Sequence, residues 1–354
     1  MAYNILMMGA SYGSLLAIKL LFGGHRITMV CLPNEVEAFN SDGAHVRMPI
    51  RGRATPVDLD SRKLPGSLTA AGTGDVNPAD YDLVVLGMQE PQYRSPGVRE
   101  LLDACARAKV PCMSIMNMPP LPYMARIPGL AMAPLRACYT DASVWDNFDP
   151  AKLTLCSPDP QAIRPPGEKI NFLLVTLPTN FKSARFGSDA DTQILRNLQK
   201  DVDGIRYNPG DGEIDLPVKL KVHESIFVPL AKWAMLLTGN YRCVTADSAI
   251  DIKDAVHADL DKSRSVYNWV MEVCTKLGAD PADLVPFEKY TAAANGLVRP
   301  SSAARALNNG VPNIERTDRL VQLLGQQLGM QHPVVDATVK QIDARLDANR
   351  KKAA

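Results

Sequence analysis

The sequence predicts an α/β fold over its first 214 residues and an all-helical domain after them. Three observations carry this reading. An apolar run (Tyr3 to Met8), a glycine-containing turn (Gly9 to Ser14), a helical pattern (Leu15 to Phe22), a glycine stop (Gly23-Gly24) and a second apolar run (His25 to Cys31) follow one another. That succession within about thirty residues is the order of a βαβ unit. The strand-like runs Tyr81 to Gly87 and Val110 to Met116 then flank a helical segment, Val98 to Ala108, in which Val98, Leu101, Leu102 and Cys105 form one apolar face. Finally, from Thr317 to about Ala348 apolar residues recur at helical spacing (Leu320, Val321, Leu323, Leu324, Leu328), interrupted by Gly329 and Pro333.

Composition narrows the function classes. The chain has 354 residues, 39 Lys plus Arg against 38 Asp plus Glu, and 46% apolar residues. It is too apolar to be disordered and too evenly charged to be a basic nucleic-acid binder, so no nucleic-acid partner is expected. Aromatics at 6% also argue against a base-stacking platform. The length suits two domains, each with its own core. The 27 prolines cluster (Pro119, Pro120 and Pro122; Pro158 and Pro160; Pro165 and Pro166) and punctuate loops. Seven cysteines without Cys-x-x-Cys or zinc spacing read as free thiols of a reducing compartment, with no metal site. The apolar start lacks a basic leader, and no run of about 18 apolar residues occurs, so a cytoplasmic protein without a membrane span is expected. Lys351 to Ala354 reads as a solvated tail, and Trp145, Trp233 and Trp269 as packing residues.

The first turn carries chemistry. In a dinucleotide-binding unit one glycine makes the tight turn, later ones admit the pyrophosphate, and the helix N-terminus offers N–H groups and positive dipole to it. Here the pattern is degenerate. Gly13 takes the last glycine position of G-x-G-x-x-G, Ala10 the middle one, and Met8 or Gly9 the first. Gly9, Ala10, Ser11, Tyr12, Gly13 and Ser14 are therefore the expected cofactor cradle. An ordinary βαβ turn without ligand is the plain alternative, and the position after the first strand favours the cradle.

The end of the second strand usually distinguishes the cofactors: an acid there bonds the ribose of NAD, and an Arg accommodates the phosphate of NADP. Cys31-Leu32-Pro33-Asn34-Glu35 has neither at the expected spot. Asn34 or Glu35 can reach a ribose, and Arg51 and Arg53 are candidate phosphate partners, so NAD and NADP both remain open. Gln89 and Asn117 follow two further strands, at the carboxyl ends where ligands bind in open α/β sheets; loop-capping amides are the alternative.

These residues resemble the ketopantoate reductases (2-dehydropantoate 2-reductases). The resemblance spans most of the chain: the N-terminal strand and turn, Gly24-His25, the Asp82-Leu83-Val84-Val85 strand, and Asn117, which matches the Asn the family sets against nicotinamide and substrate. The family's Lys after the preceding strand is replaced by Gln89, and its Gly after the Asn by Met118. Family members have a helical domain entered by a helix with a Lys, an Asn four residues on, and an Asn-Pro-Leu. Pro229-Leu230 matches; aligned there, the Lys position falls on Leu220 between Lys219 and Lys221, and the Asn positions on Glu224 and Val228. Pro300 to Ala303 and Ile314 to Asp318 resemble the family's substrate Ser and its Glu, here Glu315.

The resemblance implies a Rossmann-type nucleotide-binding domain (1–214) and a C-terminal domain like that of 6-phosphogluconate dehydrogenase (215–354). It implies a homodimer, an active site in a cleft between the domains, a carboxylate substrate, and NADP or NAD, with NADP favoured. The cofactor carries the hydride, and the protein supplies a proton donor. Lys221 and Lys219 are the candidates; two residues apart on a helix they face different sides, so at most one serves. His223 competes, as in the opine dehydrogenases, which share this plan and reduce imines. Arg299, Ser301 and Ser302 are candidate carboxylate binders, with a helix cap as the plain reading of the serines, and Glu224 is a further substrate candidate. Three readings follow: an oxidoreductase on a 2-oxo or 2-hydroxy acid, an opine-type imine reductase using His223, and a nucleotide-binding regulatory protein without catalysis.

Overall fold

The computed structural model describes residues 2 to 353. The chain forms two compact units: Met1–Met88 with Gln92–Tyr123 and Val144–Ile226, and Gln89–Pro91 with Met124–Ser143 and Phe227–Ala354. No helix among the described residues is long and apolar enough to cross a membrane.

The first unit begins with β1 (Asn4–Met8), α1 (Ala10–Leu21), β2 (Arg26–Val30) and α2 (Pro33–Asp42). It continues through β3 (His45–Met48), β4 (Val57–Asp60), β5 (Ser67–Ala71), β6 (Leu83–Leu86), α3 (Val98–Ala108) and β7 (Cys112–Ile115). The short helix α4 (Leu121–Met124) and then α5 (Met132–Leu135), which belongs to the second unit, precede β8 (Leu153–Ser157), β9 (Gln161–Ile163), β10 (Phe172–Leu177), β11 (Phe181–Ala184), α6 (Asp189–Asp203) and β12 (Leu220–His223) of the first. The main sheet has the order β5-β2-β1-β6-β7-β8-β11-β12. Its first six strands are mutually parallel. Numbered by occurrence in this sheet they run 3-2-1-4-5-6, the doubly wound order whose switch point lies between β1 and β6. Strands β6 (LVVL) and β7 (CMSI) are buried at every position, as parallel strands covered on both faces require. Helix α1 buries Leu15, Leu16, Ile18, Leu20 and Leu21 in the same core.

Three expectations are corrected here. The apolar run Asn171 to Leu177, which with Lys152 to Leu155 reads in the sequence as a strand region completing the nucleotide-domain sheet, does not do so: β10 pairs with β3 and β9 in a second, four-stranded sheet, β4-β3-β10-β9. The segment from Lys219 to Ile226 is not part of a helix opening the second domain; only Val228–Ala231 forms a 3-10 turn, which leads into that domain's first helix after it. Leu220–His223 is a strand, parallel to β11 in the register Phe181↔Leu220 to Ala184↔His223, so the first unit runs past residue 214 to Ile226. At the chain's end, Lys351 and Lys352 are exposed but belong to the last helix rather than to a tail; Ala354 lies outside the described residues.

The second unit is helical. Lys232–Met235 (α7) runs directly into a π-helical turn, Leu236–Asn240. Then come α8 (Ile252–His257), α9 (Leu260–Lys276), α10 (Phe287–Ala294), α11 (Ser302–Asn308), α12 (Thr317–Gln327) and α13 (Pro333–Ala353). The expected interruptions at Gly329 and Pro333 separate α12 from α13. Trp233 (1% exposed) and Trp269 (9%) are packed in this unit and Trp145 (2%) in the first, as expected of packing residues.

Candidate functional site

The switch point of the main sheet is built around glycines. At the end of β1, Gly9 adopts φ +105°, a region L side chains avoid. A Cβ on Gly9 would lie 2.8 Å from the Gly87 carbonyl oxygen at the end of β6. The strand ladder closes around this point: Gly9 N–H donates to Val30 O at 3.0 Å and Gly87 N–H to Met8 O at 2.7 Å. A Cβ on Gly13 would lie 2.8 Å from Met7 Cγ, so Gly13 lets α1 sit close on β1. Gly9 therefore makes the tight turn and Gly13 the close packing, which resolves the degenerate pattern.

No side chain caps the N-terminus of α1, which leaves backbone N–H groups and the dipole directed out of the turn. Ser11 at its start is exposed. Ser14 is turned the other way: it is buried, and its hydroxyl donates to Ala10 O one turn back. Two residues past β7, the buried Asn117 Oδ1 has no hydrogen-bond partner among the described residues. An orphaned buried acceptor is costly, and it stands at a strand carboxyl end where a ligand amide would satisfy it. These features fit a dinucleotide. Asn34, exposed at the start of α2, has its Oδ1 turned to the Glu35 N–H at 3.1 Å, and Arg53 is paired with Asp211 at 2.6 Å. Arg51 is exposed.

The proposed proton donors of the Lys219 segment are engaged elsewhere. Lys219 Nζ lies 2.6 Å from Asp215, and Lys221 Nζ lies 2.9 Å from Asp203. On the β12 extension they lie two residues apart and share a face, opposite to the helical expectation. Glu224 is exposed and ion-paired with Arg185 and Arg196. His223 ends β12 in the first unit, and its carbonyl accepts the Arg185 N–H; it does not lie on a helix opening the second unit. Another base, Lys19 on α1, is 1% exposed. Burial, then the Lys219 cation, push its ammonium down to about 7. It donates to Leu216 O (3.3 Å) and Pro217 O (3.0 Å), fixing the approach to β12.

The helix that does open the second unit starts at Lys232. The pattern of Lys, a residue four on and an Asn four further then falls on Lys232, Leu236 and Asn240. Three segments converge on the end of that π-turn. Ser301 Oγ donates to Asn240 O at 2.6 Å and caps α11 by accepting the Ala304 N–H at 3.1 Å. The neighbouring Tyr241 hydroxyl donates to Glu315 O at 2.6 Å. Glu315, 9% exposed, accepts the Glu90 N–H at 3.3 Å, and Glu90 accepts from Thr140 N–H and hydroxyl at 2.9 and 2.8 Å. Arg316 grips Asp318 with two bonds of 3.0 Å and Asp343 with one of 2.6 Å, which fixes the chain immediately after Glu315. Ser301 and Glu315, each expected from the resemblance, are tied to this turn through Asn240 O and the Tyr241 hydroxyl; Lys232 and Asn240 are not among the residues the sequence points to. Ser302 and Arg299 are exposed, and the serines behave as a helix start. Gln89 is exposed and groups with the helical unit.

No protein-family model matches the chain, and no curated protein does. Solved structures match it over nearly its whole length. D-mandelate dehydrogenase in complex with NADH and anilino(oxo)acetate is 12% identical, with a TM-score of 0.65, covering 98% of this chain and 99% of that one. The 2-dehydropantoate 2-reductase of Methylococcus capsulatus is 12% identical, with a TM-score of 0.65 and coverage of 98% and 97%. The dimeric ketopantoate reductase of Staphylococcus aureus is 10% identical, with a TM-score of 0.60 and coverage of 98% and 99%. The chain has the fold of the ketopantoate reductases and of D-mandelate dehydrogenase, a Rossmann-type domain with a helical domain.

Proposed function

We propose that this chain is a nicotinamide-dependent oxidoreductase acting on a small 2-oxo or 2-hydroxy acid. The observation that carries the reading is the switch point: Gly9 at φ +105° against Gly87, with the uncapped start of α1 beside them. The structural neighbours support it, being reductases and a dehydrogenase, one of them solved with NADH. The bound nicotinamide would supply or accept the hydride.

The chain's own residues divide the remaining tasks. Backbone N–H groups of the Gly9 to Gly13 turn hold the pyrophosphate, with the Ser11 hydroxyl beside them. Asn117 receives the carboxamide end through its unpaired Oδ1. Within the helical unit we assign Lys232 as the proton donor and Asn240, Ser301 and Glu315 as the candidate substrate contacts. A 2-oxo acid needs a cation near its carbonyl oxygen, because negative charge develops there on reduction. A homodimer belongs to the same proposal, supported by the likeness to a dimeric ketopantoate reductase.

Turnover of NADH or NADPH with a panel of 2-oxo acids, aliphatic and aromatic, tests the proposal. Oxidation of the cofactor by at least one of them supports it. Binding of a dinucleotide without turnover on any acid would favour the non-catalytic reading, and turnover only with an amino acid added would favour imine reduction.

A further inference from the structure

We infer that the π-helical turn Leu236–Asn240 positions Asn240 for the reaction, and that Tyr290, packed against Gly239, is the residue that holds the turn. The extra residue in the turn brings Asn240 back onto the helix face that carries Lys232. The inference rests on the proposed roles of Lys232 as proton donor and Asn240 as substrate contact.

Asn240 follows Lys232 by eight residues, and two turns of α-helix take about 7.2. Continued as α-helix at about 100° per residue, the chain would carry Asn240 about 80° round from Lys232 and put Gly239 within about 20° of it. The turn between them is wider. The Tyr241 N–H bonds Leu236 O at 3.0 Å, five residues back, and four-residue spacing returns with Cys243 N–H to Gly239 O at 2.9 Å. One residue absorbed in this way sets the rest of the helix back by about 100°, so Asn240 falls within about 20° of Lys232. Exposure records the exchange. From Ala231 to Asn240 only Lys232, Met235 and Asn240 escape burial, and Gly239 lies inside. Along the axis the ammonium and the carboxamide start about two turns, roughly 10 Å, apart on one face, and a small acid can lie between their tips.

A π-turn is rare because its ladder is out of step with the α-helix around it. Here side chains take up the carbonyls in and just before it. The Tyr290 hydroxyl, from α10, donates to Met235 O at 3.1 Å, Arg242 Nη1 to Thr238 O at 3.1 Å, and Ser301 Oγ to Asn240 O at 2.6 Å. Gly239 lets Tyr290 reach its carbonyl: a Cβ on Gly239 would run into the Tyr290 hydroxyl and lie 2.8 Å from Ile252 Cγ2 and 3.0 Å from Val256 Cγ2 on α8. The Tyr290 ring is stacked on Tyr267, centroids 5.4 Å apart, which fixes the direction of its hydroxyl. Burial raises the pKa of that hydroxyl, so it keeps the proton it donates. Tyr290 therefore acts through Met235 O and the turn, as a positioning residue.

The test is a double-mutant cycle on kcat/KM for a 2-oxo acid, with the full chain and with dinucleotide affinity measured by fluorescence titration on every variant. Tyr290→Phe keeps the ring stack and removes only the donor. It should lower kcat/KM by about ten-fold, and Asn240→Ala by about a hundred-fold. The double variant should match Asn240→Ala within about two-fold, because a side chain that is gone cannot be misplaced. Dinucleotide affinity should stay within about two-fold in all three, since binding lies with the Gly9 to Gly13 turn. Gly239→Ala, whose Cβ displaces the Tyr290 hydroxyl, is a second route to the same loss and should likewise add nothing to Asn240→Ala. A merely structural role for Tyr290 would make the two losses multiply. Multiplied losses, or wild-type rates in Tyr290→Phe or Asn240→Ala, overturn the inference and leave the proposed function standing. Failure of the wild type to turn over any 2-oxo acid overturns both.

Discussion

Replacing Lys19 by Met tests how the buried base on α1 supports the sheet edge. Burial, reinforced by the Lys219 cation and opposed by Asp215 and Asp203, brings its ammonium from 10.5 down to about 7. Between pH 7 and 10.5 the unfolded chain holds a proton that the folded chain has released. The unfolded state binds more protons in that window, so this group makes stability rise with pH, by about 1.4 kcal/mol per pH unit and about 5 kcal/mol at most. Below pH 7 the cost of the buried charge is fully present and flat. Met has a similar volume and no charge, but it abandons the carbonyls of Leu216 and Pro217, a loss of about 1–3 kcal/mol. At pH 6.5 the cost of the buried charge exceeds the loss, and Lys19→Met should be more stable than the wild type by about 2–4 kcal/mol. At pH 10 the loss dominates, and the variant should be less stable by about 1–3 kcal/mol. Urea unfolding followed by far-ultraviolet circular dichroism across this range gives the difference, with other titrating groups common to both proteins. Parallel stability profiles would refute the reasoning.

Other expectations concern the site. Gly9→Ala places a Cβ at 2.8 Å from the Gly87 carbonyl oxygen at φ +105°, which should cost about 2–4 kcal/mol of stability and abolish dinucleotide binding; a variant with unchanged melting temperature and affinity contradicts the role given to this turn. Lys232→Ala should lower kcat by about 10²- to 10⁴-fold while cofactor affinity stays within a few-fold, and an unchanged rate removes Lys232 from the mechanism. Lys221→Ala breaks a half-exposed pair with Asp203, should change stability by about 1 kcal/mol or less, and should leave kcat as it is; a hundred-fold loss would restore Lys221 as the proton donor.

The nucleotide fold was legible because its signals are local. A strand, a glycine turn and a helix within one βαβ unit leave a pattern that needs no distant contact, and α3 falls on Val98–Ala108, as its apolar face predicts. The second sheet left no such trace. It joins β3, between α2 and β5, to β10, whose first pair, His45↔Phe172, spans most of the first unit. The ion pair between Glu35 and Arg164, 129 residues apart, left no trace for the same reason. The Lys219 segment carries a strand's signal that its likeness to the family's helix entry obscures. Lys219-Leu220-Lys221-Val222-His223 alternates polar and apolar residues, the period of a strand, but anchoring on Pro229-Leu230 imposed a helix. The same anchor hid Lys232, which stands among Ala231, Trp233 and Ala234 in a stretch that reads as plain core. Ser301 and Glu315 stand in short local matches, but the bonds that tie Ser301 to Asn240 and Glu315 to Tyr241 depend on tertiary packing that no spacing records.

The central claim is that the turn from Gly9 to Gly13 holds a nicotinamide dinucleotide. Isothermal titration of the full chain with NADPH and with NADH, repeated on Gly9→Ala, tests it most directly. The account predicts a single site per chain with a dissociation constant in or below the range of about 1 µM to 1 mM typical of enzyme ligands, lost in Gly9→Ala. Absence of heat with either dinucleotide, or binding that survives Gly9→Ala unchanged, would contradict it.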